Sequence, residues 1–191
     1  MFIFKKKYFL IIESIKDINL RNIKKYNKFS IIYRNQDNKE NIYDLIKFRK
    51  NCRLKQIEFY VANDLKLAVM VNSDGIYLSS YNKTFKALNL VKSKFSIIGS
   101  AHNFNEIAMK INQGCSYVLL SKLFLVDYDK TSKYLDIIKF NNYLNIFKNR
   151  LIPLGGIKAD NLNSLKNLNC EGVALLSEIK KKPTKIFSRL F

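Results

Sequence analysis

The sequence predicts a single (β/α)₈ TIM barrel, an α/β fold in which parallel strands form a closed ring inside a layer of helices. Short apolar runs alternate with longer amphipathic segments along all 191 residues, as in a parallel sheet with helical crossovers. Eight such units follow one another without a change in composition, which favours closure into a barrel. An open, flavodoxin-like sheet is the alternative, because the number of strands is hard to determine from periodicity alone. We expect one domain over residues 1–191.

Each predicted strand is a short run of mainly apolar residues, as expected where a strand is buried on both faces. The eight runs are Tyr8–Glu13, Phe29–Tyr33, Ile57–Val61, Gly75–Leu78, Phe95–Ile98, Tyr117–Leu120, Leu151–Leu154 and Gly172–Leu176. Barrels of this kind typically have about 250 residues, so we expect trimmed loops and helices here.

Helical spacing of apolar residues appears between the predicted strands. It covers Asn41–Cys52, Phe104–Ile111 and Leu162–Leu168. We expect Asn103 to cap the second helix, with Glu106 as its capping-box partner, and Asp160 to cap the third. The longer segment from Ser121 to Asn149 is expected to carry an active-site loop.

The formal net charge of +19, from 34 Lys+Arg against 15 Asp+Glu, raises the question of an anionic partner. A nucleic-acid footprint clusters its basic residues on one face or element. Here they are dispersed, and Lys, Asn, Ile, Phe and Tyr are all abundant, a bias that AT-rich codons produce. We therefore expect no nucleic-acid partner, although a positive field would concentrate phosphorylated substrates.

The three cysteines, Cys52, Cys115 and Cys170, form no CxxC pair. An odd number without a framework fits a reducing cytoplasm. The apolar run at Tyr8–Ile12 is too short for a signal peptide, and nothing approaches the ~20 apolar residues of a membrane span. We expect a cytoplasmic protein without a membrane partner.

Polar residues and glycines follow the predicted strands at their carboxyl ends, where barrels of this class build their active sites. They are Arg34, Asn63-Asp64, Ser79-Ser80, Gly99–His102, Ser121-Lys122, Gly155-Gly156 and Ser177. Gly155-Gly156 would let backbone N–H groups approach a phosphate, although a plain strand-to-helix turn is the alternative. His102 is the only histidine and suits proton transfer near neutral pH, although a surface or capping histidine is the alternative.

Four stretches carry motifs in a distinctive order. Asn63-Asp64 precedes Ser73–Leu78 (SDGIYL), Ile97–Asn103 reads IIGSAHN, Tyr117–Phe124 reads YVLLSKLF, and Leu154–Ile157 (LGGI) precedes Glu171–Ser177 (EGVALLS). The first is similar to an asparagine–aspartate pair followed by ADGVHL, and the last two resemble DYVLLSPVF and ALGGI…ADGVAVVS. In the order and spacing of these motifs, the chain resembles the thiamine phosphate synthase/TenI family.

The resemblance implies an enzyme of thiamine biosynthesis that joins hydroxymethylpyrimidine diphosphate to thiazole phosphate and releases pyrophosphate. Its ligands would be these phosphorylated pyrimidine and thiazole molecules. By resemblance, Arg34 and Ser100 contact the diphosphate, Asn63 is a further substrate-binding residue, and Asp64 after it is a magnesium ligand. Lys130 stands for the lysine of the loop after the sixth strand, with Lys133 as a competing match.

The thiazole phosphate would lie at the last two strands. By resemblance, Gly156, with Gly155 beside it, and Leu176 and Ser177 supply backbone groups to this phosphate. Several departures from the family pattern weaken the synthase interpretation, among them Ile32 and Gln36, which replace the glutamine and lysine that flank the strand-two arginine. Asn82 stands where the family has a second acidic magnesium ligand, and Asp127 and Asp129 lie in a loop where a diphosphate favours positive charge.

Two alternatives to the synthase remain open. One is a TenI-type thiazole tautomerase, in which His102 would move the proton and no metal is needed. The other is a non-catalytic barrel that binds a phosphorylated ligand. The sequence does not fix an oligomeric state.

Overall fold

A computed structural model describes residues 7–23, 27–35, 40–93, 95–127, 131, 133–148, 150–176 and 179. Its strands are β1 (Lys7–Ile12), β2 (Phe29–Tyr33), β3 (Glu58–Ala62), β4 (Gly75–Leu78), β5 (Ser96–Ala101), β6 (Tyr117–Ser121), β7 (Leu151–Leu154) and β8 (Gly172–Leu175). The eight predicted strands are therefore confirmed, with shifts of one to three residues at some ends.

The strands form one parallel sheet in the order β7-β6-β5-β4-β3-β2-β1-β8. Strands that are consecutive in the chain are thus neighbours, and β1 lies between β2 and β8. β7 and β8 lie side by side and complete the ring, without a backbone ladder between them in the described part of the chain. This order confirms the barrel and excludes an open sheet of the flavodoxin type, whose strand order reverses at a switch point.

The helices outside the ring are short. The α-helices are α1 (Ile42–Leu54), α2 (Leu65–Met70), α3 (Phe104–Asn112) and α4 (Asp136–Ile146), and the 3₁₀ segments are Ile15–Asp17, Leu20–Asn22, Lys86–Ser93 and Ala159–Asn167. The crossovers that leave β1, β4 and β7 therefore use 3₁₀ turns where a full barrel has α-helices, which confirms the expected trimming. No helix within the described ranges is both long enough and apolar enough to cross a membrane.

The expected cap of α3 is confirmed, with one difference. The Oδ1 atom of Asn103 accepts a hydrogen bond from the backbone N–H of Glu106 at 3.0 Å. The Glu106 carboxylate accepts from the backbone N–H of His102 at 2.7 Å, rather than from that of Asn103. Glu106 therefore fixes the backbone of His102 as well as the start of the helix.

The expected cap by Asp160 is wrong. The segment before β8 is a 3₁₀ helix that begins at Ala159, so Asp160 already lies inside its first turn. Asn161 closes the turn instead, because its Oδ1 accepts from the backbone N–H of Lys158 at 2.8 Å.

The apolar side chains form two layers on either side of the strands. Along β1, Phe9 and Ile11 point into the barrel, while Leu10 and Ile12 pack outward against the helices. The inner layer comprises Phe9, Ile11, Ile32, Tyr60, Tyr77, Ile98, Leu119, Ile152 and Ala174. These side chains fill the barrel, as in other small closed barrels, so a ligand can bind only at its ends.

An ion pair ties α1 to the turn between α2 and β4. The Arg49 guanidinium donates to Asp74 at 2.6 Å and to the Asn72 carbonyl at 3.0 Å. The other Asp74 oxygen accepts from the backbone N–H of Phe59 at 2.7 Å. Burial raises the pKa of Asp74, while this backbone bond and Arg49 act in the opposite direction.

We expect Arg49→Met to lower the free energy of unfolding by about 3 kcal/mol, because it strands a partly buried carboxylate. Urea denaturation measures this, with the exposed Arg53→Met on the same helix as a control that costs less than about 0.5 kcal/mol. Without Arg49 the folded-state pKa of Asp74 lies further above its unfolded value, so the loss should shrink as the pH falls through that pKa. Equal losses in the two variants would contradict this account.

Candidate active site

A cavity of about 500 Å³ opens at the carboxyl-terminal end of the barrel, a size typical of small-molecule sites. Its walls come from the ends of six strands. They include Arg34, Tyr77, Ser79, Ser100, His102, Ser121, Lys122, Asp127, Gly155, Gly156, Lys158 and Leu176. The structure thus brings together six of the residues to which the family resemblance or the chemistry of the strand ends gives a role: Arg34, Ser100, His102, Gly155, Gly156 and Leu176. It also places four further strand-end residues of the sequence analysis in the cavity wall: Ser79, Ser80, Ser121 and Lys122.

A second hollow adjoins the cavity on the side of β2 and β3. Asn63 and Asp64 line this hollow and not the main cavity, whereas Arg34, Ser79 and Tyr81 line both. The predicted residues therefore occupy two adjacent spaces, and Arg34 stands on the wall between them.

One nitrogen of the Arg34 side chain is buried without a hydrogen-bond partner. Its Nε is buried and makes no hydrogen bond within the described part of the chain, and its Nη2 is 3.7 Å from the Glu13 carboxylate. A buried N–H without an acceptor is costly. An anionic oxygen in either hollow would satisfy it.

Ser100 and Tyr77 form the floor of the cavity. Ser100 is 6% exposed and Tyr77 is 2% exposed, and both line the cavity. Burial raises the pKa of Tyr77, while a hydrogen bond with Ser100 and the charge of Arg34 act in the opposite direction. The phenol, the serine hydroxyl and the guanidinium are therefore close neighbours, and the floor is polar.

His102 stands at the rim with a partner that orients its ring. Its Nδ1 lies 2.9 Å from the hydroxyl of Ser121, at the end of β6. Its backbone is held by Glu106. This leaves Nε2 as the ring nitrogen for proton exchange with a ligand, the geometry that a general acid or base needs.

Asn63 holds the loop after β4. Its Oδ1 accepts from the backbone N–H and the hydroxyl of Ser79, each at 3.0 Å, and from Nδ2 of Asn82 at 3.1 Å. Its Nδ2 donates to the Tyr81 hydroxyl at 3.0 Å. Asn63 has a φ of 61°, a conformation that asparagine tolerates better than most residues. Its role as a ligand residue remains a prediction, and it also joins the β3 and β4 loops.

The donor set for magnesium is sparse. Asp64 caps α2, since one carboxylate oxygen accepts from the Leu67 N–H at 2.9 Å, and the residue also lines the second hollow. The Asn82 oxygen accepts from the Thr84 N–H at 3.0 Å. No group of three or more His, Cys, Asp or Glu side chains gathers as a metal site within the described ranges. The set fits a magnesium ion held by one carboxylate and by substrate phosphates, not a two-carboxylate site.

The glycine pair after β7 adopts a backbone conformation that other residues rarely take. Gly155 has a φ of 91° and Gly156 a φ of 69°. A Cβ on Gly156 would lie 2.5 Å from the Phe124 carbonyl oxygen. Asn161 also donates to the Gly156 carbonyl at 2.8 Å. Glycine is therefore required here both for the turn and for packing against the loop after β6.

The acidic loop after β6 has a cationic partner. Asp127 forms an ion pair with Lys158, which follows the glycine turn, and both residues line the cavity. Its negative charge is thus compensated next to the site. Asp127 and Asp64 line different hollows.

Three of the predicted positions cannot be placed in the site. Lys130, Asp129 and Ser177 lie outside the described residues. Lys133, the alternative to Lys130, is exposed and is not part of the cavity wall as described.

Several wall residues were not selected from the sequence. Tyr77, at an inward position of β4, is one of them, and period-two alternation contains a signal for it. Lys158 carried no such signal, because its approach to the cavity depends on the turn at Gly155-Gly156.

The comparisons with known proteins agree with this geometry. A family model described as thiamine monophosphate synthase (TMP-TENI) matches residues 16–179. A thiamine-phosphate synthase of Prochlorococcus marinus (strain AS9601) is 30% identical over 144 residues, which is 73% of this chain and 40% of that protein. One from Fusobacterium nucleatum is 26% identical over 135 residues, 70% of this chain and 66% of that protein. The chain thus spans about two fifths of the first relative.

Solved structures confirm the fold. A thiamine phosphate pyrophosphorylase from Pyrococcus furiosus superposes with a TM-score of 0.76 at 16% identity, covering 97% of this chain and 93% of that one. A 3-keto-L-gulonate-6-phosphate decarboxylase from Vibrio cholerae reaches 0.66 at 11% identity, with 97% of each chain covered. The family model covers most of the chain, and residues of the motifs that carry the resemblance line the cavity and the hollow beside it. The chain therefore belongs to the thiamine monophosphate synthase/TenI family.

Proposed function

We propose that this chain is a thiamine phosphate synthase, and that residues 1–191 act as one barrel domain. The reaction would join hydroxymethylpyrimidine diphosphate to thiazole phosphate. The thiazole nitrogen bonds to the pyrimidine methylene carbon, the bond from that carbon to the diphosphate oxygen breaks, and pyrophosphate leaves. The observation that carries the proposal is that Arg34, Ser100 and the Gly155-Gly156 turn line one cavity.

The diphosphate would bind at the wall shared by the two hollows. The unpartnered Nε of Arg34 would donate to it, as would the Ser100 hydroxyl on the cavity floor. Charge builds on the leaving oxygens as the carbon–oxygen bond breaks, and preorganised cationic donors stabilise that charge. Lys130 is proposed to contribute from the loop after β6.

The thiazole phosphate would bind across the mouth, at the last two strands. Gly155 and Gly156 turn the backbone next to the cavity, and Leu176 lines it beyond β8. Backbone groups of these residues and of Ser177 would hold the phosphate, as loops after strands seven and eight do in barrels of this class.

Magnesium is proposed as the cofactor, with Asp64 as its one protein carboxylate. When bound, it would neutralise charge on the diphosphate. Asp64 would orient the ion from the second hollow while its other oxygen keeps the cap of α2. Asn63 would support this arrangement by fixing the neighbouring β4 loop.

A TenI-type tautomerase is the second candidate, and the His102–Ser121 contact of 2.9 Å favours it. Such an enzyme moves one proton on the thiazole ring. The Ser121 hydroxyl would hold the imidazole so that Nε2 faces the ligand, and this chemistry needs neither Arg34 nor a metal.

Arg34→Met tests the diphosphate site. We expect kcat/KM for the pyrimidine diphosphate to fall by at least about 100-fold, the cost of removing one charge-stabilising donor, while the KM for thiazole phosphate changes little. Arg150→Met is the control, because Arg150 is exposed just before β7, at the opposite end of the barrel. An unchanged kcat/KM in Arg34→Met would remove Arg34 from the site.

Asp64→Asn separates the charge from the cap, because asparagine caps helices about as well as aspartate. We expect thermal stability to be kept and the Mg²⁺-dependent affinity for pyrophosphate, measured by calorimetry, to fall at least about tenfold through loss of a charged ligand. Asp44→Asn, in the first turn of α1, should leave this affinity unchanged. Equal pyrophosphate binding by Asp64→Asn and the wild type would withdraw the metal assignment.

His102→Ala distinguishes the two activities. Bond formation in the synthase needs no proton from the imidazole, so we expect synthase turnover to stay within about tenfold of the wild type. Loss of a general acid–base group costs about 10²–10⁴-fold, so a tautomerase would lose its isomerisation by that factor. The second candidate would be favoured if the wild type isomerises the thiazole but shows no synthase turnover, and if His102→Ala loses the isomerisation.

A further inference from the structure

Helix α3 carries a lysine that is wholly buried, which is rare for this residue. Lys110 is 0% exposed, and Gln113, one turn later, is 1% exposed. The lysine stem crosses the outer face of β5 at Gly99, where an added Cβ would lie 2.8 Å from the Lys110 Cδ. Gly99 therefore leaves the space that the lysine occupies.

The buried ammonium reaches the loop that leaves β4. Lys110 Nζ donates to the Asn82 carbonyl at 2.6 Å and to Oε1 of Gln113 at 2.9 Å. Gln113 Nε2 donates to the same Asn82 carbonyl at 3.1 Å and to the Thr84 carbonyl at 2.6 Å. A side chain of α3 and that of Gln113, the residue that ends it, thus hold the backbone of one loop. Their own polar groups are satisfied, as buried polar groups require.

The same loop forms part of the ligand site. Ser79 and Tyr81 line both hollows. The Asn82 side chain donates to Asn63, which precedes Asp64. A continuous chain of hydrogen bonds therefore runs from Lys110 through Asn82 to Asn63, at the wall where the diphosphate is proposed to bind.

We propose that Lys110, with Gln113, is a positioning residue that fixes the β4 loop and so shapes the diphosphate end of the site. This inference rests on the proposed function. Burial lowers the pKa of the Lys110 ammonium, while Cys115 and Glu106 act in the opposite direction. An apolar residue at this place would avoid that desolvation cost but would leave the Asn82 and Thr84 carbonyls to Gln113 alone.

The anchoring is tested by hydrogen exchange in the full chain. The amides of Ser79, Asn82 and Thr84 are hydrogen-bonded within the loop or to Asn63. We expect them to exchange at least about tenfold faster in Lys110→Met, since a bond to a charged donor is lost. Gln113→Leu, which keeps the lysine, is the second variant and should show the same local effect if Lys110→Met does not fold.

The link to the site is tested by calorimetry with two probes, pyrophosphate with Mg²⁺ and thiazole phosphate. Pyrophosphate affinity should fall at least about tenfold in the variants, with thiazole phosphate affinity kept. Leu144→Ala, a buried change in α4, controls for general destabilisation and should weaken neither ligand selectively.

Unchanged protection of the three amides in both variants would overturn the inference, as would faster exchange with unaltered pyrophosphate affinity. Equal weakening of both ligands would show a purely structural lysine and would also overturn it. A wild-type chain that binds neither probe would instead contradict the proposed function, and the exchange data would still decide whether Lys110 anchors the loop.

Discussion

Closure of the parallel strands around a filled interior is the constraint on which the site depends. Because side chains alternate along a strand, the residue two positions beyond an inward core residue also points inward. Beyond the interior layer, that position lies at the open end. Ile32 is followed in this way by Arg34, Ile98 by Ser100, and Leu119 by Ser121. The apolar layer sets the depth of the cavity, and the next layer supplies the polar and charged side chains that line it.

The strands were predictable because each is a short apolar run, and seven of the eight were found to within one residue at both ends. The exception is β5, which continues to Ala101, three residues beyond the predicted end. The crossovers were less predictable. The run around Leu162 and Leu165 has helical spacing, yet it folds as a 3₁₀ segment, and its apolar spacing alone does not distinguish the two kinds of helix. α4, inside the long segment after β6, and the brief α2 have apolar patterns too weak to be recognised.

For the site, sequence order was enough to name the strand-end residues but not their partners. The contact between His102 and Ser121 joins residues 19 apart, and the bond from Lys110 to Asn82 spans 28. Such contacts arise from barrel geometry, which no local pattern contains. The division into two hollows is likewise not visible in the sequence, and it places Asp64 apart from the main cavity.

The excess of positive charge, +19 for the whole chain, is also found locally, in the wall of the cavity. Arg34, Lys122 and Lys158 line the cavity, and the only carboxylate among its described wall residues, Asp127, is paired with Lys158. A cleft of this sign attracts multiply charged phosphates. Asn82, where the family pattern has a second acidic residue, adds no negative charge to this end of the barrel. Its amide instead donates to Asn63 and so links the loops after β3 and β4.

The most direct test is product formation by the purified chain supplied with hydroxymethylpyrimidine diphosphate, thiazole phosphate and Mg²⁺, with thiamine phosphate and pyrophosphate quantified by mass spectrometry. The account predicts both products in equal amounts over many turnovers, and none when a chelator removes the metal. Binding of both substrates without either product would contradict the synthase assignment and leave the barrel as a tautomerase or a binding protein.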